Sequence, residues 1–179
     1  MKTHVALLRA VNLAGHNRVR MADLRELLSE LGLGDVESLL QSGNLVFGSR
    51  GRTSLRLEGM LRKAASDRLG LDTEFFVRTA AEWAAIVDDN PFPDEAKRDP
   101  ARLLVMCLRE APGRDRLDAL EEAIVGRELV RGAERQLYIV YPDGVGRSRL
   151  TGALIEKKLD TSGTARNWNT VLKVAARLV

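Results

Sequence analysis

The sequence predicts an α+β fold made of two small subdomains, each with an antiparallel sheet and helices packed on it. Three observations predict it. Short apolar strands alternate with amphipathic helical spacings, the first half reads β-α-β-β-α-β, and a β-α-β-β-α succession follows a proline-bearing stretch.

The elements follow in order. His4 to Ala10 (HVALLRA) is apolar on both alternating faces, Val5/Leu7 and Ala6/Leu8, as in a covered central strand. A loop bearing Gly and Asn comes next, and from Met21 the spacing Leu24, Leu27, Leu28, Leu31 predicts a helix, with Gly32 and Gly34 as stop signals. Val36 to Gln41, the turn Ser42-Gly43 and Asn44 to Phe47 read as a hairpin. A helix over Ser54 to Leu69 ends at Gly70, and Glu74 to Arg78 is a strand. That order is ferredoxin-like. With a helix over Ala80 to Asp88 it makes residues 1–89 the first subdomain. Residues 90–101, with prolines at 91, 93 and 100, read as a linker. In the second subdomain, 102–179, Leu103 to Leu108 is a strand, a helix follows Pro112-Gly113, and Glu128 to Arg131 with Gln136 to Tyr141 forms a hairpin. Two helices, Thr151 to Leu159 and Ala165 to Leu178, close the chain.

Composition excludes several classes. At 179 residues, 45% hydrophobic, the chain can bury one or two cores and is not of the disordered class. Its longest apolar run is the six residues Leu103 to Leu108, where a spanning helix needs roughly 20. Arg9 interrupts the apolar N-terminal stretch, which is unlike a signal peptide, and the single cysteine, Cys107, permits no internal disulfide. The expectation is a cytoplasmic protein with no membrane attachment. The net charge of +3 conceals an asymmetry: residues 1–20 carry +4, residues 144–179 carry +5 and the middle carries −6. Of 28 basic residues 22 are Arg, but Ala and Gly are enriched alongside, as GC-rich coding would produce, so placement is more informative than total.

In the predicted sheet the end of the first strand, the end of the second and the start of the third share one edge. Arg9, Asn12, Gln41, Ser42 and Asn44 then stand together, offering amide donors, amide acceptors and a fixed cation for a polar, anionic ligand, with Gly15 permitting close backbone approach. The same residue types serve as hairpin punctuation. A second candidate is YPDGVGRSRLTG, residues 141–152, where Arg147, Ser148 and Arg149 lead into a helix N-terminus that favours an anion. Its spacing is neither Rossmann nor Walker. In TARNWNTVLKVAARLV, residues 164–179, Trp168, Val171, Leu172, Ala175 and Leu178 form an apolar stripe, while Arg166, Asn167 and Asn169 lie off it, with Thr164 as N-cap.

Together, LLRAVNLAGHNRVRMADLRELL, LLQSGNLVF, SRLTGALIEKKL and TARNWNTVLKVA resemble the domain-of-unknown-function 1697 family along essentially the whole chain. The residues that match its pattern are Arg9, Asn12 and Gly15; Gln41, Ser42, Gly43 and Asn44; Ser148, Leu150 and Thr151; and Arg166 through Thr170. The resemblance implies an α+β fold with two ferredoxin-like parts and implies no activity. Ala10 and Ala14 stand where the family has glycine, Arg149 where it has Lys, and Gly152 where it has Asn. Ala14 weakens a glycine-rich phosphate cradle, and Arg149 favours charge recognition over a lysine nucleophile.

Only two histidines, His4 and His16, are present, and Cys107 sits in an apolar strand, which disfavours metal catalysis and a nucleophilic triad. No cofactor is expected. Phe47 is the lone aromatic on the first and third strands, which disfavours a standard RNA-recognition motif. The leading expectation is a binding module for an anionic small molecule or nucleic-acid phosphate, salt-sensitive and weakened by Arg9→Ala. The alternatives are an enzyme acting on a small phosphorylated or anionic metabolite, and a structural or partner-binding protein.

Overall fold

Strand and helix alternate twice along the chain, and each pass closes its own sheet. The structure, a computed structural model, describes residues 1–11 and 17–178. Its elements are β1 (His4–Leu8), α1 (Met21–Glu30), β2 (Gly34–Leu39), β3 (Asn44–Gly48), α2 (Ser54–Leu69), β4 (Phe75–Thr79), α3 (Ala80–Asp88) and α4 (Pro93–Arg98). They continue with β5 (Leu103–Leu108), α5 (Arg114–Glu122), β6 (Leu129–Ala133), β7 (Gln136–Val140), a single 3-10 turn at Val145–Arg147, α6 (Gly152–Leu159), β8 (Gly163–Asn167) and α7 (Trp168–Ala175). The fold is α+β with two similar halves, and the chain forms two compact units, Met1–Ala85 with Lys173–Val179, and Ile86–Leu172.

In the first unit the sheet order is β2-β3-β1-β4, all antiparallel, as the β-α-β-β-α-β succession predicts. Helices α1 and α2 bury Leu24, Leu27, Leu28, Leu57 and Leu61 against Ala6, Leu8, Leu45, Phe47, Phe75 and Val77. Each such aliphatic side chain contributes about 1.5–3 kcal/mol. Thr53 caps α2 by accepting from Arg56 N, and Gly70, left-handed at φ 59°, ends it. The sequence Thr79-Ala-Ala-Glu82 forms a capping box: Thr79 Oγ1 accepts from Glu82 N at 3.1 Å, and Glu82 Oε2 accepts from Thr79 N at 2.7 Å.

The second unit repeats this order as β6-β7-β5-β8. Leu120, Ile155 and Leu159 from α5 and α6 cover Met106, Leu108, Val130, Leu137 and Ile139. Corresponding backbone bonds recur in both halves: Leu8 N to Gly43 O and Leu108 N to Arg135 O, Arg9 N to Glu74 O and Arg109 N to Ser162 O. Arg78 in β4 and Arg166 in β8 sit opposite Val5 and Val105. Each donates from a guanidinium nitrogen to the carbonyl of the residue before it, at 2.9 and 2.8 Å.

Two segments differ from the sequence-based expectation. Residues 163–167 form β8 along β5, not the start of a helix, so the second half is a full β-α-β-β-α-β followed by α7. The reason is local and non-local together. Asn167 Oδ1 accepts from Thr170 N at 3.0 Å, which starts the helix at Trp168, and ladder pairing with Leu104–Leu108 holds the residues before it extended. Thr164, expected as an N-cap, is instead a buried strand residue. Within the stretch expected as a linker, Pro93 occupies the first turn of α4, where its missing N–H costs nothing.

Candidate functional site

Sheet register brings the end of β1 to the start of β3, with Leu7 opposite Asn44 and Leu8 N donating to Gly43 O at 2.9 Å. The side chains there are engaged with one another. Arg9 donates to Glu74 Oε2 at 3.0 Å, and its carbonyl accepts from Thr73 Oγ1 at 2.5 Å. The fully buried Asn44 amide donates to Leu39 O at 2.9 Å and Ser42 Oγ at 3.0 Å, tying the β2–β3 turn. Gln41 and Ser42 are exposed in that turn. Asn12 and Gly15 lie outside the described residues.

The remaining predicted residues are in the second unit. Ser148 Oγ donates to Glu128 Oε1 at 2.5 Å and accepts from Leu150 N at 2.9 Å, which holds the loop before α6. Arg149 is exposed, and Thr151 caps α6 by accepting from Leu154 N at 3.2 Å. Arg166 donates to Thr164 Oγ1 at 3.0 Å; burial pulls its guanidinium pKa down to about 10, with nearby Cys107 acting in the opposite sense. Asn167 caps α7. Burial likewise pushes Tyr138 and Tyr141 up to about 12, and their hydroxyls donate to Ile86 O and Leu150 O. These contacts hold the loop before α6, the start of α7 and the strand β8 in place.

At the opposite end of the first sheet, where β3 finishes and β1 and β2 begin, a cavity of about 620 Å³ opens. Arg50 and Arg52 reach it from the loop after β3, and Arg56 from the first turn of α2. None of the three guanidinium groups has a carboxylate partner among the described residues, whereas Arg9, Arg20, Arg68, Arg102, Arg116 and Arg127 all do. Met1, Thr3, Gly48 and Ser49 line it too, with Gly32, Gly34 and Gly51, on any of which a Cβ would meet nothing within 4 Å. The first turn of α2 carries no acidic residue of its own, and Ser54 there donates to the Glu82 carboxylate at 3.2 Å. One carboxylate, Asp35, lines the cavity, and its pKa is lowered by the Met1 amino group that donates to it.

A family model described as a protein of unknown function (DUF1697) matches residues 1–138. The chain belongs to the DUF1697 family. This DUF1697 chain is also similar to the solved structure of the conserved bacterial protein SP0830 from Streptococcus pneumoniae, at 24% identity and a TM-score of 0.76, with 99% of each chain covered. That likeness shows the fold. No curated protein matches the chain.

In this DUF1697 chain the cavity arginines escaped sequence reading because SRGRTSLR contains no spacing that distinguishes it from the Arg-rich background. A usable signal was the local balance: Arg50, Arg52 and Arg56 stand within seven residues that contain no Asp or Glu. Among the described residues there is no group of three His, Cys, Asp or Glu able to hold a metal, and no helix is long and apolar enough to cross a membrane.

Proposed function

We propose that this protein is a binding module for an anionic ligand and that the ligand occupies the cavity beside the N-terminus of α2. The observation that carries the reading is the convergence of Arg50, Arg52 and Arg56 on one cavity with no carboxylate partner among the described residues. Guanidinium forks bind oxyanions bidentately, and three unneutralised ones repel each other until an anion arrives. The expected sheet-end group around Arg9 and Asn44 is less suited, because Glu74 occupies Arg9 and the turn itself occupies Asn44.

Calorimetric titration with pyrophosphate at low ionic strength tests this. Binding is expected to weaken steeply as salt is added. Arg52→Gln removes one charge-assisted contact worth about 1.5–3 kcal/mol, so affinity falls about tenfold or more. Arg9→Gln leaves it unchanged. No binding by the wild type, or loss confined to Arg9→Gln, contradicts the reading.

A further inference from the structure

We infer, resting on the reading that the cavity binds anions, that its ligand is a small oligophosphate held by its phosphates alone, with no recognition of a base. The number of cations supports a chain of phosphates. A single phosphoryl group carries roughly −1.5 to −2 charges at neutral pH and is matched by one or two guanidinium forks. Three forks, on a loop and on the helix turn that follows it, match two or three linked phosphates better than one.

The wall chemistry separates the phosphates from anything attached to them. No side chain lining the cavity among the described residues is aromatic, so a base would find no face on which to stack. Apart from the arginines the lining is glycine backbone at 32, 34, 48 and 51 with Thr3, Asp35 and Ser49, and Met1 is its one large apolar side chain among the described residues, which offers shape and polar groups but no flat platform. The volume of about 620 Å³ is that of a small-molecule site, within the roughly 300–1,000 Å³ such pockets span. The three arginines converge on this cavity and do not form a stripe along the sheet, which favours a compact oligophosphate over a nucleic-acid strand.

The test titrates the full chain at low salt with tripolyphosphate, ATP, GTP and a short single-stranded oligonucleotide. Tripolyphosphate, ATP and GTP are expected to bind within about threefold of one another, and Arg50→Gln and Arg56→Gln each to weaken all three by about tenfold. Both arginines are exposed, and unchanged circular dichroism confirms that the variants fold. Binding of ATP or GTP without tripolyphosphate overturns the inference and leaves the anion-binding reading intact. Preference for the oligonucleotide overturns it in favour of a phosphodiester backbone. Failure of all four ligands, with pyrophosphate also failing, overturns both.

Discussion

His4 is the residue whose environment reaches stability most directly. It is buried in β1, its ring is stacked on Phe47 at 5.7 Å between centroids, and its Nδ1 lies 2.8 Å from Thr3 Oγ1. Burial holds its pKa below the usual 6.5, against the opposing pull of Glu82. Because the unfolded chain binds the proton more readily, stability present above pH 6.5 is lost as pH falls from there toward the folded value. The melting temperature is therefore expected to drop between about pH 7.5 and about pH 5.5, and His4→Gln to flatten that slope. Equal slopes in the two proteins would contradict the assignment. Other single residues were less legible. Asn44 read as a ligand-binding amide because its residue type and turn position were visible; its bond to Leu39 O becomes visible only once the hairpin closes.

At the scale of elements, periodicity and punctuation located most of the first half. The spacing from Met21, the stop at Gly70 and the apolar faces of β1 each reflect a local cause, so sequence sufficed. Strand β8 has no such cause. Gly-Thr-Ala-Arg-Asn has weak strand propensity, and pairing with β5 more than 50 residues earlier makes it a strand. Gly163 is where that pairing is tightest: a Cβ there would lie 2.8 Å from Cys107 O and 2.8 Å from Met106 Cε. Backbone cannot give way as a flexible side chain does. Gly163→Ala is expected to destabilise the protein by about 1–3 kcal/mol, read as a lower denaturant midpoint. An unchanged midpoint would mean that β8 is not held against β5 as described.

For the whole molecule, the +3 net charge is carried by arginines in different surroundings. Some, such as Arg9 and Arg127, are paired with carboxylates; Arg78 and Arg166 occupy equivalent strand positions in the two halves and donate to backbone, and Arg78 also lies 3.6 Å from the buried Glu58 carboxylate. Arg50, Arg52 and Arg56 line one cavity. The two-part α+β organisation was legible because each half is a complete supersecondary unit with its own periodicity. The cavity was not, because its wall joins Gly32 and Gly34 to a loop some 15 residues later, and only the closed sheet brings them together. The proposal that an anion binds in this cavity is tested most directly by mapping backbone amide chemical shifts in nuclear magnetic resonance during a pyrophosphate titration. Shifts concentrated at residues 32–35 and 49–56 are predicted; shifts concentrated at Arg9 and residues 41–44, or at no contiguous surface, would contradict it.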